Sequence, residues 1–307
     1  MAKLAFVFSG QGDQFPGMGK ELYDNFEEAR KVFQMCDAVR PGTAEQCFSG
    51  SAEELKETVN AQPCLYAVEM AAAEVLKSRG IRPDMAAGFS LGEITACAFT
   101  GVFSPEEGFR LVIRRGELMQ GSAAGQETFM AAVLKLGSEE TERICAALDK
   151  VYPVNYNCPG QIVVSGNAAQ KEQLNVLVRE AGGRMMPLKV SGAFHSPFMS
   201  GAAEAFRKEL ESGKYAAPEI TLYSDVTAAP YDGSMAVPEM LSRQIISPVR
   251  WEELVRNMIR SGMDTCVEIG PGRTLSGMVR RIDPAVRTYA TAGMADIQTL
   301  ASEVTVC

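Results

Sequence analysis

The chain predicts an α/β protein: a parallel-sheet core interrupted by a smaller unit whose elements run β-α-β-β-α-β. Three observations carry this. Strands alternate with helices at both ends of the chain, which is the pattern of a parallel sheet covered by helices. The stretch from about 129 to 189 breaks that alternation and follows the ferredoxin-like order. Gly88-Phe89-Ser90-Leu91-Gly92 sits where a short apolar run ends and a helix begins.

In chain order, Leu4–Phe8 is a strand that enters the glycine-containing loop Gly10-Gln11-Gly12. An amphipathic helix is expected around Lys20–Val39. Ser51-Ala52-Glu53-Glu54 reads as a capping box opening a short helix. A further helix is expected from about Pro63 to Arg79, with Pro63 suited to the first turn. Met85-Ala86-Ala87 forms the strand before the glycine pair, and Glu93–Phe99 the helix after it. A second capping box, Ser104-Pro105-Glu106-Glu107, starts a helix to about Gly121. Ala123–Gln126 looks like a linker. Strand Phe129–Leu136, helix Ser138–Leu148, strands Val151–Asn157 and Gln161–Ser165, helix Ala168–Ala181 and strand Arg184–Lys189 then make the smaller unit. The core resumes with helix Pro197–Leu210, strand Ile220–Tyr223, a helix within Pro238–Ile246, helix Trp251–Ser261, strand Thr265–Ile269 and a final helix. The expected division is a core of residues 1–125 and 191–307 and a subdomain of residues 126–190, small enough to be inserted as its own unit.

Composition narrows the function. The chain has 307 residues, 46% hydrophobic and 22% charged, as in a globular protein with a full core. No apolar run reaches the length of a membrane helix. The opening residues lack the apolar stretch and cleavage site of an export signal, so a cytoplasmic location is expected. The net charge of −8 argues against nucleic acid as the main partner. The eight cysteines follow no metal-ligand spacing, and only one histidine exists, so neither a metal nor a disulfide framework is expected. A monomer is expected.

The chemistry centres on Ser90. In a Gly-x-Ser-x-Gly turn between strand and helix, the glycines let the backbone bend sharply and project the hydroxyl above the sheet. The helix N-terminus behind it presents free N–H groups to a developing oxyanion. A serine hydroxyl needs a base to become a nucleophile. The chain offers one imidazole, His195, in a loop between a strand and a helix. No Asp or Glu stands out as a third member, and a backbone carbonyl can also orient an imidazole. Gly10-Gln11-Gly12 starts like a dinucleotide fingerprint, but Phe15 holds the place of the third glycine, which weakens that reading. An N–H from such a loop commonly supplies the second oxyanion donor.

Arg115 is the further clue. Leu111, Val112, Leu118 and Met119 form the apolar stripe of the helix from Ser104, and Arg115 lies within it. Arg110 and Arg114 fall off the stripe, with Glu117 placed to pair with Arg114. A guanidinium on a buried face needs a partner. An internal carboxylate or a substrate anion would serve, and a carboxylate fits the guanidinium fork.

Gly10-Gln11-Gly12-Asp13-Gln14, Gly88-Phe89-Ser90-Leu91-Gly92-Glu93, Arg114-Arg115-Gly116, Gly192-Ala193-Phe194-His195-Ser196 and Gln244–Trp251 occur in that order. So do Asn157-Cys158-Pro159-Gly160-Gln161 and Glu268-Ile269-Gly270-Pro271-Gly272. Over essentially its whole length the chain closely resembles the family of malonyl-CoA:acyl carrier protein transacylases, the loading enzymes of type II fatty acid synthesis. The resemblance implies a hydrolase-like core with an inserted ferredoxin-like subdomain. It implies ping-pong transfer of malonyl from malonyl-CoA to the phosphopantetheine thiol of acyl carrier protein, with no cofactor. Ser90 would be the nucleophile and His195 its base. The N–H groups of Gln11 and Leu91 would bind the oxyanion, Arg115 the malonyl carboxylate, and the Gln244 carbonyl would orient His195. Two positions depart from the family pattern: Phe89 replaces the usual histidine, which puts the polarity of the pocket wall in doubt, and Asp225 replaces the usual asparagine. Phe194 before His195 matches the malonyl type. A polyketide-serving acyltransferase and a thioesterase are the competing expectations. Arg184 and Lys189 are the candidates to meet an acidic carrier.

Overall fold

A computed structural model describes residues 3–188, 190 and 192–304. The core sheet has the order β7-β2-β1-β8-β9, all parallel, from β1 (Lys3–Phe8), β2 (Met85–Gly88), β7 (Thr221–Leu222), β8 (Met263–Ile269) and β9 (Arg287–Ala290). The second sheet is antiparallel, with the order β4-β5-β3-β6, from β3 (Thr128–Leu134), β4 (Val151–Cys158), β5 (Gln161–Asn167) and β6 (Arg184–Pro187). The α/β class and the βαββαβ order of the second unit are as the sequence predicts.

The helices are α1 (Lys20–Asn25), α2 (Glu27–Val39), α3 (Thr43–Ser49), α4 (Thr58–Ser78), α5 (Leu91–Phe99), α6 (Pro105–Ala123), α7 (Ser138–Ala146), α8 (Lys171–Glu180), α9 (Ser200–Leu210), α10 (Val237–Gln244), α11 (Trp251–Arg260), α12 (Thr274–Ile282) and α13 (Met294–Glu303). None among the described residues is long and apolar enough to cross a membrane.

Several expectations need correction. The helix expected over 20–39 is two helices, because Phe26 adopts an extended conformation (φ −127°, ψ 129°) and buries its ring. The Ser51 capping box forms, with Ser51 N–H donating to Glu54 and Glu54 N–H to the Ser51 hydroxyl, yet it opens only one 3-10 turn. Helix α4 begins at Thr58, so Pro63 lies inside it and not in its first turn. Tertiary contact overrides the local signal there: the first turn of α4 lies so close to α6 that a Cβ on Gly116 would sit 3.0 Å from the Thr58 carbonyl. β7 is shorter than the strand expected over 220–223. Strand β9 and helix α13 follow the helix expected to be last. Arg287-Thr288-Tyr289-Ala290 has no apolar alternation, and its strand exists through pairing with β8.

Two features of this architecture position the site. Phe8 pairs with Gly88, so the loops at the carboxyl ends of β1 and β2 lie side by side. Crevices at those strand ends are where open α/β sheets bind ligands. The small sheet has two faces, as strand alternation demands. Ala131, Val133, Ile162 and Val164 pack with Ile144, Leu174 and Val178 of its own helices. Met130, Ala132 and Val163 face the other way and join the main core. Val249 ties the sheets together, donating to Val154 and accepting from Tyr156, both at 2.9 Å.

Candidate active site

The turn from β2 to α5 leaves no room for side chains. A Cβ on Gly88 would lie 1.9 Å from the Gly92 carbonyl carbon, and one on Gly92 would lie 2.3 Å from the Phe8 carbonyl oxygen. Ser90 between them has φ 55° and ψ −103°. His195 also has positive φ, at 59°. Such conformations cost about 1–3 kcal/mol each and persist where the surroundings impose them. Here the two residues so held meet: Ser90 Oγ lies 2.8 Å from His195 Nε2. The other ring nitrogen, Nδ1, lies 2.9 Å from the Gln244 carbonyl, which makes Nδ1 the donor and leaves Nε2 free to accept.

His195 is 5% exposed. Burial, and then the positive charge of Arg115, lowers its pKa to about 4. The imidazole is therefore neutral across the neutral range, as a general base must be.

Arg115 is 1% exposed and faces inward from α6. Its Nη2 donates to Gln244 Oε1 at 2.8 Å and to Ser90 Oγ at 3.1 Å, and its buried Nε has no partner. Neither bonded partner is a carboxylate, so the fork keeps donors for one. Burial lowers its pKa to about 10, which still leaves it charged at neutral pH. Arg114 and Arg110 point outward as expected, pairing with Glu117 and Glu209, and with Glu106.

Leu91 opens α5, so its N–H has no intrahelical acceptor. Gln11 lies in the adjacent loop, and both residues line the same cleft of about 300 Å³ with Ser90, Arg115 and His195. All six residues singled out from the sequence thus belong to one place. Phe89 makes the cleft wall apolar: its ring stands edge-on to Trp251 at 5.5 Å and against Gly10, where a Cβ would come within 2.8 Å of it. Asn155, Asn157, Val163 and Leu188 close the cleft from the small sheet. Arg184 is exposed at the start of β6, and Lys189 lies outside the described residues.

Sequence reading missed the layer beneath the serine. Ser90 N–H donates to Asp225 Oδ2 at 2.6 Å. Gln244 Nε2 donates to the Ser90 carbonyl at 2.8 Å and to Glu93. The Gln244 side chain therefore braces the elbow while its carbonyl holds the histidine. Glu93 left a trace in the sequence, as the one charge in the apolar helix behind Ser90. Asp225 stood out only as a departure from the family's asparagine, with no contact to Ser90 implied.

The acyl transferase domain family matches residues 5–296. A malonyl CoA-acyl carrier protein transacylase of Bacillus subtilis is 39% identical over 298 residues, 95% of this chain and 94% of that protein. The crystal structure of a malonyl CoA-acyl carrier protein transacylase from Clostridium perfringens superposes with a TM-score of 0.95 at 35% identity, covering 99% of this chain and 97% of that one. A malonyl-transacylase solved in complex with its holo type II polyketide synthase acyl-carrier protein superposes with a TM-score of 0.94 at 32% identity, covering 98% and 99%.

Proposed function

We infer the function from one premise: this chain belongs to the acyl transferase domain family, among its malonyl-CoA:acyl carrier protein transacylases. It is an acyltransferase that moves a malonyl group from malonyl-CoA to acyl carrier protein. The observation that carries the reading into this chain's own residues is the Ser90–His195 contact with Arg115 beside it.

Malonyl-CoA enters the cleft with its carboxylate on the free donors of Arg115. Ser90 Oγ passes its proton to His195 Nε2 and attacks the thioester carbonyl carbon. The N–H groups of Gln11 and Leu91 hold the resulting oxyanion. The C–S bond breaks, the departing CoA thiolate takes the proton from His195, and malonyl stays as an ester on Ser90. The phosphopantetheine thiol of the carrier then gives its proton to His195 and attacks that ester, and Ser90 recovers the proton as it leaves. Side chains and backbone supply every group, so no cofactor or metal enters. A cytoplasmic location goes with this reading, because the seven described cysteines are buried, unpaired thiols.

Intact mass after mixing with malonyl-CoA tests the proposal. A malonyl adduct that persists in water and disappears on adding acyl carrier protein is the expected result. Rapid loss of the adduct to water alone would make the protein a thioesterase. Type II fatty acid synthesis is the pathway we assign. The polyketide alternative has the carrier in the second structural relative behind it, and comparing discharge by the two kinds of carrier separates them.

His195 yields a second expectation. The acid limb of malonyl-enzyme formation should lie near pH 4, where the imidazole becomes protonated. His195→Ala removes that limb along with most of the rate. A midpoint at the ordinary histidine value of about 6.5 would contradict the buried, Arg115-facing environment.

A further inference from the structure

Asp225 and Glu93 are each 0% exposed and lie together under the elbow. The Asp225 N–H donates to Glu93 Oε1 at 3.2 Å. Gln244 Nε2 bonds Glu93 and reaches Asp225 Oδ2 at 3.4 Å, so a single amide bridges both carboxyls. The charged and titratable groups facing the pair are few. Arg115 faces it from α6, Cys97 lies one turn further along α5, and His195 is neutral above about pH 4. Arg250 bonds the Val226 and Thr227 carbonyls and pairs with Glu253. Two carboxyls thus share one cation, Arg115. Were both ionised, a dry site would carry a net negative charge before any substrate arrived. Like charges in such a site do not both ionise near neutrality. Asp225 Oδ1 is buried without a partner, which a neutral carboxyl tolerates better than an anion does.

We propose that Asp225 and Glu93 hold one proton between them, so that the floor beneath Ser90 is neutral together with Arg115, and that this neutrality lets Arg115 receive the carboxylate of an anionic acyl group. The proposal rests on the acyl-transfer reading above. Burial acts in the same direction, pushing Glu93 up to about 7 and Asp225 well above the usual carboxylate range. Asp225 is a positioning residue: it holds the Ser90 N–H and sets the charge that Arg115 presents. As pH rises the pair releases its proton, and the malonyl carboxylate then enters against a like charge. An uncharged acetyl group meets no such barrier.

The test measures malonyl-enzyme and acetyl-enzyme formation by quenched-flow intact mass, from about pH 6 to about pH 9, spanning the raised carboxyl titration. In the unaltered protein the ratio of malonyl to acetyl acylation rates should fall by about tenfold over that range. In Asp225→Asn the ratio should stay level, because the amide oxygen still accepts from Ser90 N–H while the side chain cannot ionise. Should Asp225→Asn not fold, Glu93→Gln leaves one carboxyl in the pair and should level the ratio in the same way. A level ratio in the unaltered protein, or a full decline surviving in the variant that folds, would overturn the shared proton and leave the acyl-transfer reading intact. Absence of any acyl-enzyme at every pH would instead overturn both.

Discussion

Ser90→Ala should lose the malonyl adduct altogether, with turnover falling by about 10⁴–10⁶, the range seen when a nucleophile is removed from a serine–histidine pair. The argument is local. Ser90 Oγ accepts from Arg115 and contacts His195, and among the described residues it is the only hydroxyl placed on both. Alanine keeps the backbone, and at φ 55° it is no more strained than serine was. The Ser90 N–H bond to Asp225 and the carbonyl bond from Gln244 are main-chain interactions that survive the change. Folding stability should therefore shift by about 1 kcal/mol or less while the chemistry disappears. Intact mass and a thermal melt on the same sample check both halves. An adduct forming on the variant at the original rate would place the nucleophile elsewhere.

Arg115→Ala should lower malonyl transfer by about 10²–10⁴, since removing one partner of a desolvated charge pair costs about 3–5 kcal/mol. Acetyl transfer should hold or rise, because it needs no counter-charge. Stability should fall as well: Gln244 Oε1 loses its donor, and Glu93 and Asp225 lose the cation they face. For that reason the malonyl-to-acetyl ratio, measured well below the melting temperature, is the deciding quantity. An equal loss of both activities would make Arg115 a core residue that keeps two buried carboxyls in place. The arginine that reads as misplaced on an apolar stripe faces two buried carboxyls on one side and the cleft on the other.

What was legible in the sequence was what short stretches enforce. The elbow needs glycines two residues to either side of Ser90, because Gly88 meets Gly92 and Gly92 meets the strand below within a single turn. The apolar stripe of α6 shows Arg115 as an exception within a few turns of helix, and the solitary histidine has no competitor as base. The strand-to-helix turn and the Gly10–Gly12 loop pointed to oxyanion donors in general, and the resemblance to the transacylases narrowed them to Gln11 and Leu91 and added Gln244. Errors fell where long-range packing overrides a local rule. Pro63 looks like a helix start but lies within one, because the turn before it is pressed against α6. Strand β9 has no pattern of its own and follows the edge that β8 offers.

The sequence by itself determined the α/β class and the β-α-β-β-α-β unit, and it singled out Ser90 and His195, which the fold brings into contact. Each depends on periodicity, turn sterics or a residue type present once. Only the tertiary structure decided what lies beneath Ser90. Asp225 reaches Ser90 across 135 positions and Gln244 across 154, and neither is marked by its neighbours. Asp225 arrives from the loop after β7, which pairs with β2, while Gln244 comes from the end of α10 and Arg115 from α6. Two carboxyls, an amide and a guanidinium are thereby buried together, where proximity and desolvation set their charges.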